Sequence, residues 1–172
     1  MLCNFLSKFF SGRTGYFIGF LASFGIVAYG LYIQQQYNLE PCPLCIFQRM
    51  AFLAMGSLFL LSALHNPAAL GRKIYGGLHL VAALVGIGIA VRHVWIQANP
   101  EKVFAECGAG FDYIFETFPL KKALDLVFKG TGECSSIEWT MFGLTIPQLS
   151  LIAFIGLAIY ALYLASLKKS SS

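Results

Sequence analysis

Cys42 and Cys45 stand three residues apart in the stretch Glu40-Pro41-Cys42-Pro43-Leu44-Cys45-Ile46-Phe47-Gln48-Arg49. Cysteines at this spacing exchange between dithiol and disulfide, share a metal ion, or form a structural disulfide. The stretch lies where a polar segment, Gln34 to Glu40, gives way to a long apolar run beginning at Ile46. With Pro41 or Pro43 closing the preceding loop and Cys45 opening a helix, Cys45 meets unpaired backbone N–H groups and the positive end of the helix dipole. Both favour a thiolate. Arg49 follows four residues later, on the same helical face, where its fixed charge can stabilise that thiolate or bond an oxygen of a ligand. The plain reading of Arg49 alone is an anchor that snorkels to lipid headgroups. Beside two thiols, the reading as part of a redox site is the stronger one.

Two further cysteines have a different setting. Cys107 is followed by Gly108-Ala109-Gly110, and Cys134 is preceded by Gly130-Thr131-Gly132-Glu133. They could form a structural staple, but glycine-rich surroundings leave the backbone permissive and the sulfur accessible. That setting favours a labile disulfide open to attack by another protein's thiolate. A four-cysteine metal site is the alternative, yet Cys107 and Cys134 lie 27 positions apart and supply no second tight pair. No metal site is therefore expected. The fifth cysteine, Cys3, lies near a basic N-terminus and has no assigned role.

These residues must be positioned by apolar elements. Of 172 residues, 58% are apolar and 12% charged, against about 25% charged in soluble proteins, and the mean hydropathy is +0.70. A chain of this size cannot hide so much apolar surface from water, so a bilayer is its expected solvent. Runs over 14–33, 46–64, 74–91 and 147–167 each approach the ~20 residues that span the hydrocarbon. The first is longer than the roughly 7–15-residue core of a signal peptide and is read as a retained helix. The sequence thus predicts an all-α membrane protein. It is one integral-membrane domain over 1–172, a four-helix bundle with loops at 34–45 and 92–146 on one side, the second of them long. In that second loop, Phe111, Ile114, Phe115, Phe118, Leu124, Val127 and Phe128 recur near helical spacing. Either short surface-lying helices or ordinary loop packing would produce this pattern.

All eight acidic residues fall on the side of the two loops, whereas Lys8, Arg13, Arg72, Lys73, Lys168 and Lys169 cluster against helix ends on the other. Positive charge packed against helix ends marks the cytoplasmic side. Both termini are therefore expected in the cytoplasm, with Cys42, Cys45, Cys107 and Cys134 facing the oxidising exterior. The formal charge of +4 speaks for topology and not for nucleic-acid binding.

An electron relay through two cysteine pairs needs a terminal acceptor. No Gly-x-Gly-x-x-Gly follows a strand, so a dinucleotide is not expected. His79 and His93 share nearly one helix face, but a haem pair would need partner histidines on another helix, and only His65 remains. A lipid-soluble quinone reaches Cys45 and Arg49 directly through the bilayer. His93, closing the third span, lies level with Arg49 and is placed to give a proton or hydrogen bond to such a ring.

The chain resembles the DsbB family of bacterial inner-membrane, disulfide-generating quinone reductases. The likeness is carried by Cys42-Pro43-Leu44-Cys45-Ile46-Phe47-Gln48-Arg49 opening the second span and Arg92-His93 closing the third. The separated Cys107 and Cys134, and the run Trp139-Thr140-Met141-Phe142-Gly143-Leu144-Thr145-Ile146-Pro147-Gln148, add to it. The resemblance implies that Cys107, bonded to Cys134, is attacked by a periplasmic thiol oxidase like DsbA. Electrons would then pass through the Cys42–Cys45 disulfide to ubiquinone or menaquinone, with Arg49 and His93 beside the ring. A protein like vitamin K epoxide reductase, and a non-catalytic membrane subunit with structural disulfides, are the competing readings.

Overall fold

The computed structural model describes residues 13–39, 41–102, 132–137 and 139–167. Among them are four helices long and apolar enough to cross a membrane: α1 (Arg13–Tyr37), α2 (Pro43–His65), α3 (Ala69–Ala98) and α5 (Ile146–Ser166). A 3-10 turn (Pro100–Lys102), a one-turn helix α4 (Gly132–Ser135) and a hairpin of β1 (Thr140–Met141) with β2 (Leu144–Thr145) complete the described elements. The protein is a four-helix membrane bundle, as its apolar runs predict.

The first three helices outrun their apolar stretches, whereas α5 keeps the length of its own and is shifted by one residue. The Gln triplet of 34–36 is polar but accepts helix geometry, so α1 ends only at Asn38, which takes the left-handed conformation at φ 49°. Pro43 stands in the first turn of α2, where its missing N–H costs nothing, so the helix begins before Cys45 and not at Ile46. At its other end, left-handed Asn66 donates its N–H to the Ser62 carbonyl. Pro67 then breaks the chain, and α3 starts at Ala69. The link between α2 and α3 is therefore three residues long, 66–68, and Arg72 and Lys73 lie inside the first turns of α3. Gln148 Oε1 accepts the Thr145 N–H at 2.9 Å and closes the start of α5.

The core is apolar, built on residues such as Phe52, Met55, Phe59, Phe154 and Leu157, but the outer surface is apolar as well. Leu64, Leu70, Val81 and Ile159 point outward, while Ser23, Gln48, Ser62, His79 and His93 are buried. In lipid, apolar side chains gain nothing by leaving the solvent, so close packing and internal hydrogen bonds must hold the helices together. The packing is aromatic on glycine. Phe52 of α2 and Phe154 of α5 stack at 3.8 Å between ring centroids and 7° between planes. The Phe154 ring lies where a Cβ on Gly86 of α3 would sit, 2.4 Å away, and the Phe59 ring fills the same place over Gly19 of α1. His79 donates from Nδ1 to the Tyr75 carbonyl at 2.6 Å and lies against Phe59 and Tyr16, a buried helix contact.

The strongest pairings run α1 with α2, α2 with α3, and α3 with α5, whereas α1 and α5 touch sparsely. A slot is left between those two helices, and the hairpin lies at its end. The hairpin turn places both Phe142 (φ 53°) and Gly143 (φ 79°) in the left-handed region, the twist a two-residue hairpin requires. Phe142 is 95% exposed at its tip, and Tyr29 Oη of α1 donates to Met141 Sδ at 3.6 Å, holding the hairpin against the slot.

Replacing Gly86 by leucine forces the α3–α5 contact apart. A loss of about 1–3 kcal/mol is expected from overpacking, read as a shift of the unfolding midpoint in mixed micelles. Gly88→Leu, whose added Cβ meets no neighbour, should leave the midpoint in place.

Candidate functional site

The site forms where α2 begins. Cys42 is the residue before the helix, in extended conformation (φ −63°, ψ 156°), and its sulfur takes the role usually played by a serine or aspartate oxygen. The backbone N–H of Cys45 points to Cys42 Sγ at 3.4 Å, and the Ile46 N–H donates to the Cys42 carbonyl at 3.2 Å. This capping geometry holds the two sulfurs together: Cys42 Sγ donates toward Cys45 Sγ at 3.1 Å, a contact between thiols and not a covalent bond. Cys42 is buried and Cys45 half-buried.

Two side chains sequence reasoning placed nearby are found there. Arg49, half-buried on the same helix face, is close enough for its charge to act on the Cys45 sulfur. His93 comes from α3, near its end at Ala98, and is buried with Nε2 3.6 Å from Cys42 Sγ. Its other nitrogen, Nδ1, meets Gln48 Nε2 at 3.2 Å. One nitrogen of the imidazole thus faces the cap of α2 and the other a side chain within that helix. Gln48 was missed as a site residue: a single amide one turn into an apolar helix looks like an interfacial residue until α3 is folded against it. The available signal was its position within the motif, three residues after Cys45.

Cys134, on the one-turn helix α4, is fully buried in one cluster with Cys42, Leu44, Ile89 and Ile96, against which Cys45 and Phe47 pack. The third thiol is therefore brought to the Cys42 side of the pair. Contact with the Cys134 thiol first, then with Cys45, then burial, push the Cys42 thiol above its ordinary pKa. A proton kept on Cys42 agrees with its donating toward Cys45. Cys107, its expected pairing with Cys134, the surface helices considered for the long loop, and Cys3 lie outside the described residues.

The slot between α1 and α5 opens onto this group as a cavity of about 530 Å³. Cys42, Cys45, Gln48, Arg49 and His93 line one part of it. The remainder is mostly apolar, with Ala22, Gly25 and Ile26 on α1, Leu149 and Ala153 on α5, and Trp139 and Met141 at the hairpin. Gly25 and Gly30 leave open space where a side chain would stand, which widens the slot. An apolar chamber with a few convergent polar groups at one end is the common form of a small-molecule site.

The chain is similar to known proteins along most of its length. Named disulfide bond formation protein B, a protein of Methylobacillus flagellatus is 71% identical over 169 residues, covering 98% of this chain and 100% of the relative. Proteins of the same name from Xanthomonas euvesicatoria and Nitrosococcus oceani are 47% and 46% identical, over 94% and 89% of this chain and 95% and 90% of their own. No solved structure matches the chain. The model of the family described as disulfide bond formation protein DsbB matches residues 12–164, and with that match the dithiol at the head of α2 has its context: the chain belongs to the DsbB family of membrane-embedded disulfide bond formation proteins.

Proposed function

We propose that this protein is a thiol:quinone oxidoreductase that reoxidises a periplasmic thiol oxidase of the DsbA kind and delivers the electrons to ubiquinone or menaquinone. The observation that carries the reading is the division of the dithiol. Cys42 adjoins buried Cys134, and Cys45 adjoins Arg49 at the wall of an apolar cavity. One sulfur faces the incoming electrons and the other the outgoing ones.

The exchange runs in balanced steps. A client thiolate attacks the Cys107–Cys134 disulfide, the client's second thiol closes its own disulfide, and Cys107 and Cys134 are left reduced. The Cys134 thiolate then attacks Cys42 of the Cys42–Cys45 disulfide, forming a Cys42–Cys134 bond and releasing Cys45 as thiolate. Cys107 attacks Cys134, which restores the outer disulfide and returns Cys42 as a thiol. His93 Nε2, beside Cys42, is placed to hand a proton to that departing sulfur.

The cavity fits a quinone on two grounds: a volume of about 530 Å³ with mainly apolar walls, and an arginine and an amide at the end nearest the thiols. Arg49 and Gln48 would hold a quinone there, and the quinone would supply a two-electron, two-proton acceptor for closure of the Cys42–Cys45 disulfide. Arg49 would hold a ring oxygen and stabilise negative charge growing on it. The site belongs to the periplasmic face of the bacterial inner membrane, with both termini cytoplasmic. The basic residues flanking the opposite helix ends, Arg13, Arg72 and Lys73, support that orientation.

Two measurements test the reading. Quinone absorbance, followed after mixing with a reduced thioredoxin-fold partner, should stay flat in Cys45→Ser, and oxidation of that variant should join Cys42 to Cys134 in a bond found by peptide mass spectrometry. Full turnover by Cys45→Ser would remove the proposed donor. In Arg49→Ala the same assay should show KM for quinone raised about tenfold or more, equivalent to ~1.4 kcal/mol, with a smaller change in kcat. An unchanged KM would reduce Arg49 to a lipid anchor.

A further inference from the structure

The sequence argues against a metal site because Cys42 and Cys45 have no second tight cysteine pair to complete one. The fold supplies an imidazole instead. Cys42 Sγ, Cys45 Sγ and a ring nitrogen of His93 all lie within 4.8 Å of one another. A tetrahedral zinc ion with Zn–S of about 2.3 Å and Zn–N of about 2.0–2.1 Å sets ligand–ligand edges near 3.8 Å for S···S and 3.5 Å for S···N. The observed Cys42–His93 edge of 3.6 Å meets that requirement, and the Cys42–Cys45 edge of 3.1 Å needs only to widen. The geometry points to a site for a thiophilic divalent cation of the zinc class, formed by Cys42, Cys45 and His93 when the dithiol is reduced.

Charge and surroundings agree. Binding displaces two thiol protons, and the two thiolates cancel the charge of the ion, so Arg49 faces a neutral centre and does not repel it. Two of the three ligands, Cys42 and His93, are buried, and all three line the cavity through which an ion would enter. Gln48 supplies what a ligating histidine ordinarily has, a partner for its other nitrogen. In this structure its Nε2 donates to His93 Nδ1. When the ion takes Nε2, the ring proton moves to Nδ1, and a flip of the same amide presents Oε1 to accept it. Water is left to fill the fourth position.

The consequence is a brake. Thiolates held by the ion cannot join as a disulfide, so the cation keeps the site reduced and out of the cycle. No redox step is involved, and the inference does not depend on which molecule takes the electrons.

The test uses the full chain in detergent with Cys3, Cys107 and Cys134 changed to serine, reduced by a phosphine and handled without air. Titration with Co²⁺ should give one ion per chain, with thiolate charge-transfer absorption and the intense visible bands of a tetrahedral site, displaced by Zn²⁺. The oxidised protein should give neither. Gln48→Leu should weaken binding about 10- to 100-fold, and His93→Ala at least as much. Equal binding by oxidised protein, or unchanged affinity in His93→Ala, would overturn the site. A second measurement avoids the histidine variant. Zn²⁺ should slow alkylation of Cys42 and Cys45 in the reduced wild-type protein at least tenfold, and no protection would also overturn it.

Discussion

The sulfur of Cys42, used as the cap of a helix that enters the membrane, is the contact on which the rest depends. An N-cap accepts a hydrogen bond from the first turn, and here the acceptor is a cysteine sulfur. The capping bond fixes Cys45 one turn inward with its sulfur 3.1 Å away. Pro43 stiffens the turn between them without the loss of a needed donor. Because the pair is fixed at a helix start, everything else can be brought to it from outside: His93 on the neighbouring helix, Cys134 from the loop side, and the cavity from the lipid side. A dithiol deeper in the helix would still meet lipid but would be out of reach of any aqueous thiol.

The helices that carry the pair are held by shape more than by hydrophobicity. Phe154 seated on Gly86 and Phe59 on Gly19 draw two helix pairs close, and the Phe52–Phe154 stack ties α2 to α5 just inside the dithiol. The same economy explains the gap between α1 and α5. Gly25 and Gly30 lie on α1 where no ring descends onto them, so small residues there make space, whereas under phenylalanine they make contact. One residue type thus closes the bundle on one side and opens it on the other.

Much of this was legible in the sequence, and the boundary of legibility is physical. Four spans follow from run length, because lipid imposes a minimum that few other structures need. Cys42, Cys45 and Arg49 follow from spacing along one helix, where three and four residues are near neighbours whatever the tertiary fold. Helix ends were less legible: the apolar run begins at Ile46, but the helix begins at Pro43, because proline and a capping sulfur define a start that hydropathy does not register. The hairpin was illegible for a similar reason. Its turn puts Phe142 in a left-handed conformation usually left to Asn or Gly, so Met141-Phe142-Gly143-Leu144 carries little turn signal.

Gln48 and the placement of His93 show the remaining limit. Each is one polar residue in an apolar helix, and nothing along either helix says that the two will meet. Their bond exists only because α2 and α3 pack in a register that puts an amide opposite an imidazole. In a membrane that register carries unusual weight, since a buried imidazole has no water to complete its hydrogen bonds. The imidazole instead finds Gln48 on α2 at one nitrogen and the capping sulfur of Cys42 at the other, with the Cys134 backbone beside it.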